Sequence, residues 1–350
     1  MIPVVLLLTV LLLALVEAAS RRVDIRKLSV RFSLDTKLTG PGEPVVLRYT
    51  VCNAGRLPVL YAGLSFRLDS VFSPEEDESF LREHAVSDFA GTRISFRFFL
   101  GPGRQFSGKL RFSVRRRGLH GLGNYYLEFG DFLGLKPRVL SGNINQRIIC
   151  TAETCSLPSI RALGGELGNI SVRRFLYDDP TMILGYREYS GREPLKQISW
   201  SQSVRAGKLI VRRHDFTTDH SAVILVNIDS SSRRLMEVCL SMTGSVCRLL
   251  EAKKIPYALF SNGDLHSLPE GLGESHLTFI ERRIGLSSLT EYTGFSLLVE
   301  NCIRRKKPGS THIVLTPSLD ESIRADIRHL ARYTDREPVV LSAEDDALRA

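Results

Sequence analysis

Residues 222–260, AVILVNIDSSSRRLMEVCLSMTGSVCRLLEAKKIPYALF, decide how the C-terminal half of this chain is read. Val223 to Ile228 is a continuous apolar run, the pattern of a strand buried on both faces of a parallel sheet. Leu235, Cys239, Met242, Val246 and Leu249 then step by four, three, four and three, which is one face of a helix. Ile255 to Phe260 supplies a second strand and completes a β-α-β unit. Further on, an irregular stretch leads to a possible helix near Gly294–Arg304. Ile313–Thr316 follows as a strand, Ser322–Tyr333 as a helix and Pro338–Leu341 as a last short strand. This alternation predicts a doubly wound α/β domain over 214–350.

Just upstream lies 185–213, GYREYSGREPLKQISWSQSVRAGKLIVRR, which contains Trp200, the only tryptophan in the chain. Seven Lys or Arg stand there against two Glu, together with Ile198, Leu209, Ile210 and Val211. A solvated loop has no need of those aliphatic residues, and a core strand does not carry this charge. The stretch reads as a basic module with an apolar underside, or as an ordinary turn and strand. Residues 151–184 show no clear period, contain Gly164-Gly165, Gly168 and Pro180, and read as a connector, with Val172–Tyr177 as a possible strand.

Residues 21–150 have a different rhythm. Leu47, Tyr49 and Val51 alternate with polar neighbours, as do Ile94, Phe96 and Phe98, and Leu110, Phe112 and Val114. Period two with one apolar face is the mark of half-buried antiparallel strands. Gly40-Pro41-Gly42 and Gly101-Pro102-Gly103 supply turns. An immunoglobulin-like β-sandwich is expected, with the acidic stretch Pro74–Glu83 as a loop or short helix.

Ile2–Val16 is an apolar run closed by Glu17 and followed by Arg21, Arg22, Arg26 and Lys27. Two readings stay open for residues 1–20. They form a membrane anchor with the soluble part on the cytoplasmic side of the cell membrane, or a signal segment with a Val16-Glu17-Ala18 cleavage-like site.

With 350 residues the chain has room for two or three domains. A net charge of +9, spread along the chain, suits an anionic membrane surface or an acidic protein face ahead of nucleic acid, and no nucleic-acid partner is expected. Six cysteines without a CxxC pair do not read as a disulfide framework. Cys239 and Cys247 lie about 12 Å apart by helical rise, too far to bridge.

The module also carries a family likeness. Gly185, Arg187, Tyr189, Gly191, Ile198, Trp200, Arg205 and Leu209 resemble the signature of the bacterial family of domain of unknown function fifty-eight. Upstream, Arg117-Gly118-Leu119-His120, Leu122-Gly123 and Asp131-Phe132-Leu133-Gly134-Leu135 fit the same family, so the likeness covers roughly 22–345. Arg192 stands where the family has Asp, and Val204 where it has Ala, which puts any role of that Asp in doubt. The resemblance implies an N-terminal membrane helix and a von Willebrand factor A-like domain at the C-terminal position. It further implies a MoxR-type AAA+ ATPase as partner, in assembly or maturation of envelope-associated complexes.

Partner binding by the module would fall to Arg187, Tyr189, Lys196, Trp200, Arg205 and Lys208, since Trp and Arg dominate interface hot spots. Trp200 has a competing reading, packing the module onto the sheet, and that is the expected one for the indole itself. A cation site is the alternative function, that of a metal-dependent ligand-binding von Willebrand factor A-type module. In that fold Asp-x-Ser-x-Ser holds a divalent ion; Asp229 and Ser231 match it, but Arg233 replaces the last Ser. A guanidinium opposes a cation, so magnesium is not expected and no cofactor is. The bland reading has Asp229 and Ser232 capping the next helix.

No catalytic residues are assigned. Gly103–Lys109 matches most of a phosphate loop but runs into Leu110 and a strand, without the helix amino end such a loop requires. Asp215, Asp219 and His220 lie close in sequence yet read as surface residues, and no nucleophile elbow or acid/base pair of carboxylates is evident. The chain reads as a non-enzymatic adaptor.

Overall fold

The computed structural model describes residues 2–20, 22–130, 137–155, 179–189, 198–215, 221–229, 232–305, 310–334 and 337–344. The chain divides into two compact units, Met1–Glu153 with Glu281–Leu286, and Thr154–Ile280 with Ser287–Ala350.

The first unit opens with α1 (Ile2–Ser20). Strands follow as β1 (Leu28–Leu34), β2 (Leu38–Thr39), β3 (Pro44–Asn53), β4 (Val59–Asp69) and β5 (Phe72–Pro74). After helix α2 (Glu78–His84) come β6 (Ala85–Asp88), β7 (Gly91–Leu100), β8 (Gln105–Val114), β9 (Gly118–Gly121), β10 (Asn124–Gly130), β11 (Arg138–Asn143) and β12 (Arg147–Cys150). Two antiparallel sheets result, in the orders β1-β3-β8-β5 and β11-β10-β4-β7-β6, with a small third sheet β2-β12-β9. Period-two burial drives this arrangement: Val45, Leu47, Tyr49 and Val51 of β3 are buried, as are Leu64, Phe66, Ile94 and Phe96 of the facing sheet. The two faces meet where Tyr49 stacks on Phe96, ring centroids 4.7 Å apart. This is the β-sandwich that alternation predicts. Gly103–Lys109 leads into β8, as its apolar alternation requires, and offers no phosphate cradle.

Residues 1–20 need a correction. Among the described residues no helix is long and apolar enough to cross a membrane. The apolar run stops at Glu17, and its fifteen residues rise only about 22 Å, short of the roughly 30 Å of a hydrocarbon core. The N-terminal membrane helix expected there is therefore not supported.

The second unit contains β13 (Asp179–Glu188), α3 (Trp200–Ala206), β14 (Ile210–Asp215), β15 (Ala222–Val226), α4 (Arg233–Ala252), β16 (Tyr257–Ser261) and β17 (Leu268–Gly271). Helix α5 (Glu274–Leu286) begins here and ends in residues grouped with the first unit; α6 (Phe295–Arg304), β18 (Thr311–Thr316), α7 (Glu321–Tyr333) and β19 (Val339–Ser342) complete the unit. The main sheet runs β17-β16-β15-β18-β19, parallel except for the antiparallel edge strand β17. All five residues of β15 are buried, which is why they read as an unbroken apolar run. Val223, Leu225 and Val314 pack with α6 and α7 through Phe295, Leu298, Val299, Ile323 and Leu330. Helix α4 packs against β18 along the face that carries Met236, Cys239, Leu240, Met242, Val246 and Cys247, all buried.

The expected von Willebrand factor A-like, doubly wound domain is therefore corrected to a mixed α/β unit. The stretch after β16 that reads as irregular holds β17 and α5, and β17 returns antiparallel to β16 as a ladder of two pairs, Tyr257 with Gly271 and Leu259 with Leu268.

Candidate partner-binding site

The basic stretch folds as two strands carrying a short helix. β13 and β14 pair antiparallel, with Arg187 opposite Val211 and Glu188 opposite Ile210. Ile198 bridges to Val211 on the other side of β14. Ile198, Ile210 and Val211 are buried, as the apolar underside requires. Helix α3 starts after the buried Ser199 and ends at Gly207, whose φ of 66° is the left-handed conformation that glycine adopts at a helix C-terminus.

One hydroxyl ties helix to strand. Ser203 Oγ donates to the Ser199 carbonyl at 2.8 Å and accepts from the Ile210 amide at 2.9 Å. The Ser199 amide in turn donates to the Ile210 carbonyl at 2.8 Å, and the Tyr189 amide to the Leu209 carbonyl at 2.9 Å. Ser203 is buried, so these groups have no water to fall back on.

With its underside closed in this way, α3 turns Trp200 outward. The indole is 64% exposed and Val204, one turn later, is 83% exposed. Positions i and i+4 share a helix face, so the two form an apolar spot, and the residue between turns, Ser203, points to the strands. Trp200 was expected to pack onto the sheet; that expectation is corrected, because Ile198 and Ser203 already fill the contact with β14. Tyr186 and Leu209 are also exposed.

The remaining candidates separate clearly. Arg205 is exposed and makes no ion pair among the described residues. Lys208 is exposed too, but its Nζ pairs with Glu188 Oε2 at 3.0 Å, a surface contact worth at most about 1 kcal/mol. Tyr189 is half-buried at the end of β13, and Arg187 has its backbone in that strand. Lys196, with Gly191, Arg192 and Glu193, lies outside the described residues. Val204 and Ser203 are the residues that sequence reasoning missed. The four-residue step from Trp200 to Val204 was the available signal for a helix face.

The candidate cation site looks different. Asp229 follows β15 and is half-buried, with its amide directed at Met236 Sδ at 3.3 Å. Ser231 lies outside the described residues, and Arg233 is exposed at the start of α4. At the carboxyl ends of the neighbouring strands the polar side chains satisfy one another. Asn262 Nδ2 donates to Asn227 Oδ1 at 3.0 Å, Asn227 Nδ2 to Thr316 Oγ1 at 3.1 Å, and Thr316 Oγ1 to the Ser318 carbonyl at 2.7 Å. Asn262 Oδ1 accepts from the Ile228 amide at 2.7 Å. Among the described residues no group of three or more His, Cys, Asp or Glu is placed to hold a metal. Of the acid cluster before β15, Asp215 ends β14, while Asp219 and His220 lie outside the described residues.

Three buried thiols are held in the neutral form by their surroundings. Burial pushes Cys150 and Cys239 up to about 12 and Cys302 up to about 11, from an ordinary 9.0. None of these belongs to the module.

No protein-family model and no curated protein matches the chain. Among solved structures, a CARDB domain from Pyrococcus furiosus, described in complex with di-metal ions, is similar over 35% of this chain and 91% of its own, with 12% identity and a TM-score of 0.22. The seventh ScaB type I cohesin of Pseudobacteroides cellulosolvens is similar over 37% and 95%, with 17% identity and a TM-score of 0.22. A non-cellulosomal cohesin of Archaeoglobus fulgidus is similar over 35% and 92%, with 14% identity and a TM-score of 0.24. At these scores the likenesses decide nothing about function.

Proposed function

We propose that this chain is a non-catalytic adaptor that grips a partner protein through the 185–213 module. The observation that carries the reading is the outward Trp200, beside Val204 and the exposed Arg205, on a helix whose other side is sealed. A large indole left in water is a ready anchor: covering it would contribute on the order of 2–4 kcal/mol at about 25 cal/mol per Å². Tryptophan and arginine lead the residues that dominate interface energy. The family resemblance of the module names the partner as a MoxR-type AAA+ ATPase, acting in assembly or maturation of envelope-associated complexes.

Calorimetric titration of the purified chain with the MoxR-type ATPase of the same genome tests this. Binding is expected, and Trp200→Ala should weaken it about thirtyfold or more, with Arg205→Glu also unfavourable. Absence of binding, or equal affinity for both variants and the parent chain, overturns the reading.

A further inference from the structure

The outer face of the sheet β11-β10-β4-β7-β6 carries a polar depression that the adaptor reading does not use. Its residues alternate with buried Leu64, Phe66, Ile94, Phe96 and Leu127, so they share the face turned away from the core. Ser95, Ser65, Tyr126 and Ser141 stand side by side across four strands, a continuous row of hydroxyls. Beside that row lies a cavity of about 420 Å³ lined by Ser65, Arg67, Asp69, Arg93, Asn124 and Tyr126.

The chemistry of the lining narrows what fits. Arg67 is paired with Asp88. The Arg93 and Asp69 side chains are both exposed and make no hydrogen bond or ion pair among the described residues, and their charges are opposite. An anion would meet no uncompensated positive charge here. An apolar ligand would find only Tyr126, since the Phe66 ring belongs to the core. The volume lies in the range of small-ligand sites. Tyr126, 49% exposed, lines the cavity together with a carboxylate, guanidinium groups, an amide and a hydroxyl. Asn124 Oδ1 already accepts from Asn143 at 3.2 Å, which leaves the Asn124 NH2 to donate outward. A group with one flat C–H face and a rim of hydroxyls that both donate and accept satisfies that set.

We infer that this depression binds a neutral saccharide. A sugar ring lies on the Tyr126 face, its hydroxyls donate to the Asp69 carboxylate, and they accept from Arg93 and from Asn124. The inference is independent of the adaptor reading and uses a different unit of the chain.

Saturation-transfer NMR on the full chain tests it, with cellohexaose, chitohexaose, maltohexaose and mannohexaose as neutral probes and a heparin hexasaccharide as the anionic one. Two variants accompany the parent: Tyr126→Ala, and Gly123→Leu, where a Cβ would meet only the Arg67 carbonyl at 4.0 Å and the added side chain would occupy the cavity. Both sites are exposed, so thermal unfolding should match the parent. At least one neutral oligosaccharide should receive transfer on the protons of one ring face, and each variant should weaken its binding about tenfold or more. Transfer to none of the neutral probes, transfer to heparin alone, or transfer unchanged in both variants overturns the proposal.

Discussion

Replacing Ser203 by alanine should loosen the module from the inside while leaving its outer face chemically intact. The Ser203 hydroxyl is the acceptor for the Ile210 amide at 2.9 Å and a donor to the Ser199 carbonyl at 2.8 Å. Ser→Ala removes one oxygen and almost no volume, so the cavity contribution is small and the hydrogen bonds decide the outcome. Ile210 is buried, and its amide would be left without a partner. An orphaned buried donor costs about 1–3 kcal/mol. If that cost falls on the local opening of α3 from β14, amide exchange in residues 198–211 should speed up by about five-fold to about a hundred-fold. Hydrogen exchange followed by mass spectrometry on the parent and the variant measures this directly, with the peptides of β15 and β18 as internal controls that should not change. Equal exchange in residues 198–211 of the two proteins would refute the assignment of Ser203 as the lock.

Other consequences follow from the same geometry. Trp200→Ala should change global stability by no more than about 0.5 kcal/mol in urea unfolding, because the indole is mostly in water; a loss of several kcal/mol would mean that it is packed. Gly91 has φ 145° and an added Cβ would overlap the Leu68 carbonyl oxygen, whereas Gly42, at φ 77°, faces open space. Gly91→Ala should therefore cost at least about 2–3 kcal/mol or prevent folding, and Gly42→Ala only about 1 kcal/mol, as read by thermal unfolding. Stability should also fall at alkaline pH. The Cys239 thiol is raised by burial from 9.0 to about 12, so its contribution is complete below pH 9 and is lost as pH rises towards 12. Cys239→Ala should flatten that part of the stability–pH curve.

Much of the architecture was legible because burial imposes a period on the chain. Leu47, Tyr49 and Val51 announce a strand facing a core, and the run Val223–Ile228 announces one covered on both sides. What escaped were features in which local sequence is subordinate to tertiary closure. β17 pairs only through Gly271 and Leu268 and has no alternation to detect, and α5 lies in a stretch that reads as irregular although Ile280 and Ile284 are spaced as on one helix face. In the module, composition pointed to an apolar underside, but packing onto the sheet was the reading favoured for Trp200, and the indole is exposed. Ser203, a small polar residue of no evident interest, fills the position that the indole was expected to take. The apolar run Ile2–Val16 shows the opposite failure: its composition suggests a bilayer, and only its length argues against one. The pairing of Asn227, Asn262 and Thr316 was likewise invisible, since it joins residues 35 to 89 positions apart.

The adaptor reading stands on a tryptophan held outward by a closed underside, and the chain has no second tryptophan to obscure it. Its emission can be followed while the MoxR-type ATPase is added to the intact protein, with iodide present as a quencher. A solvated, readily quenched signal that shifts to the blue and becomes protected as the complex saturates is the predicted result. Saturation of the complex with emission and quenching unchanged would show that the partner docks elsewhere and would contradict the account.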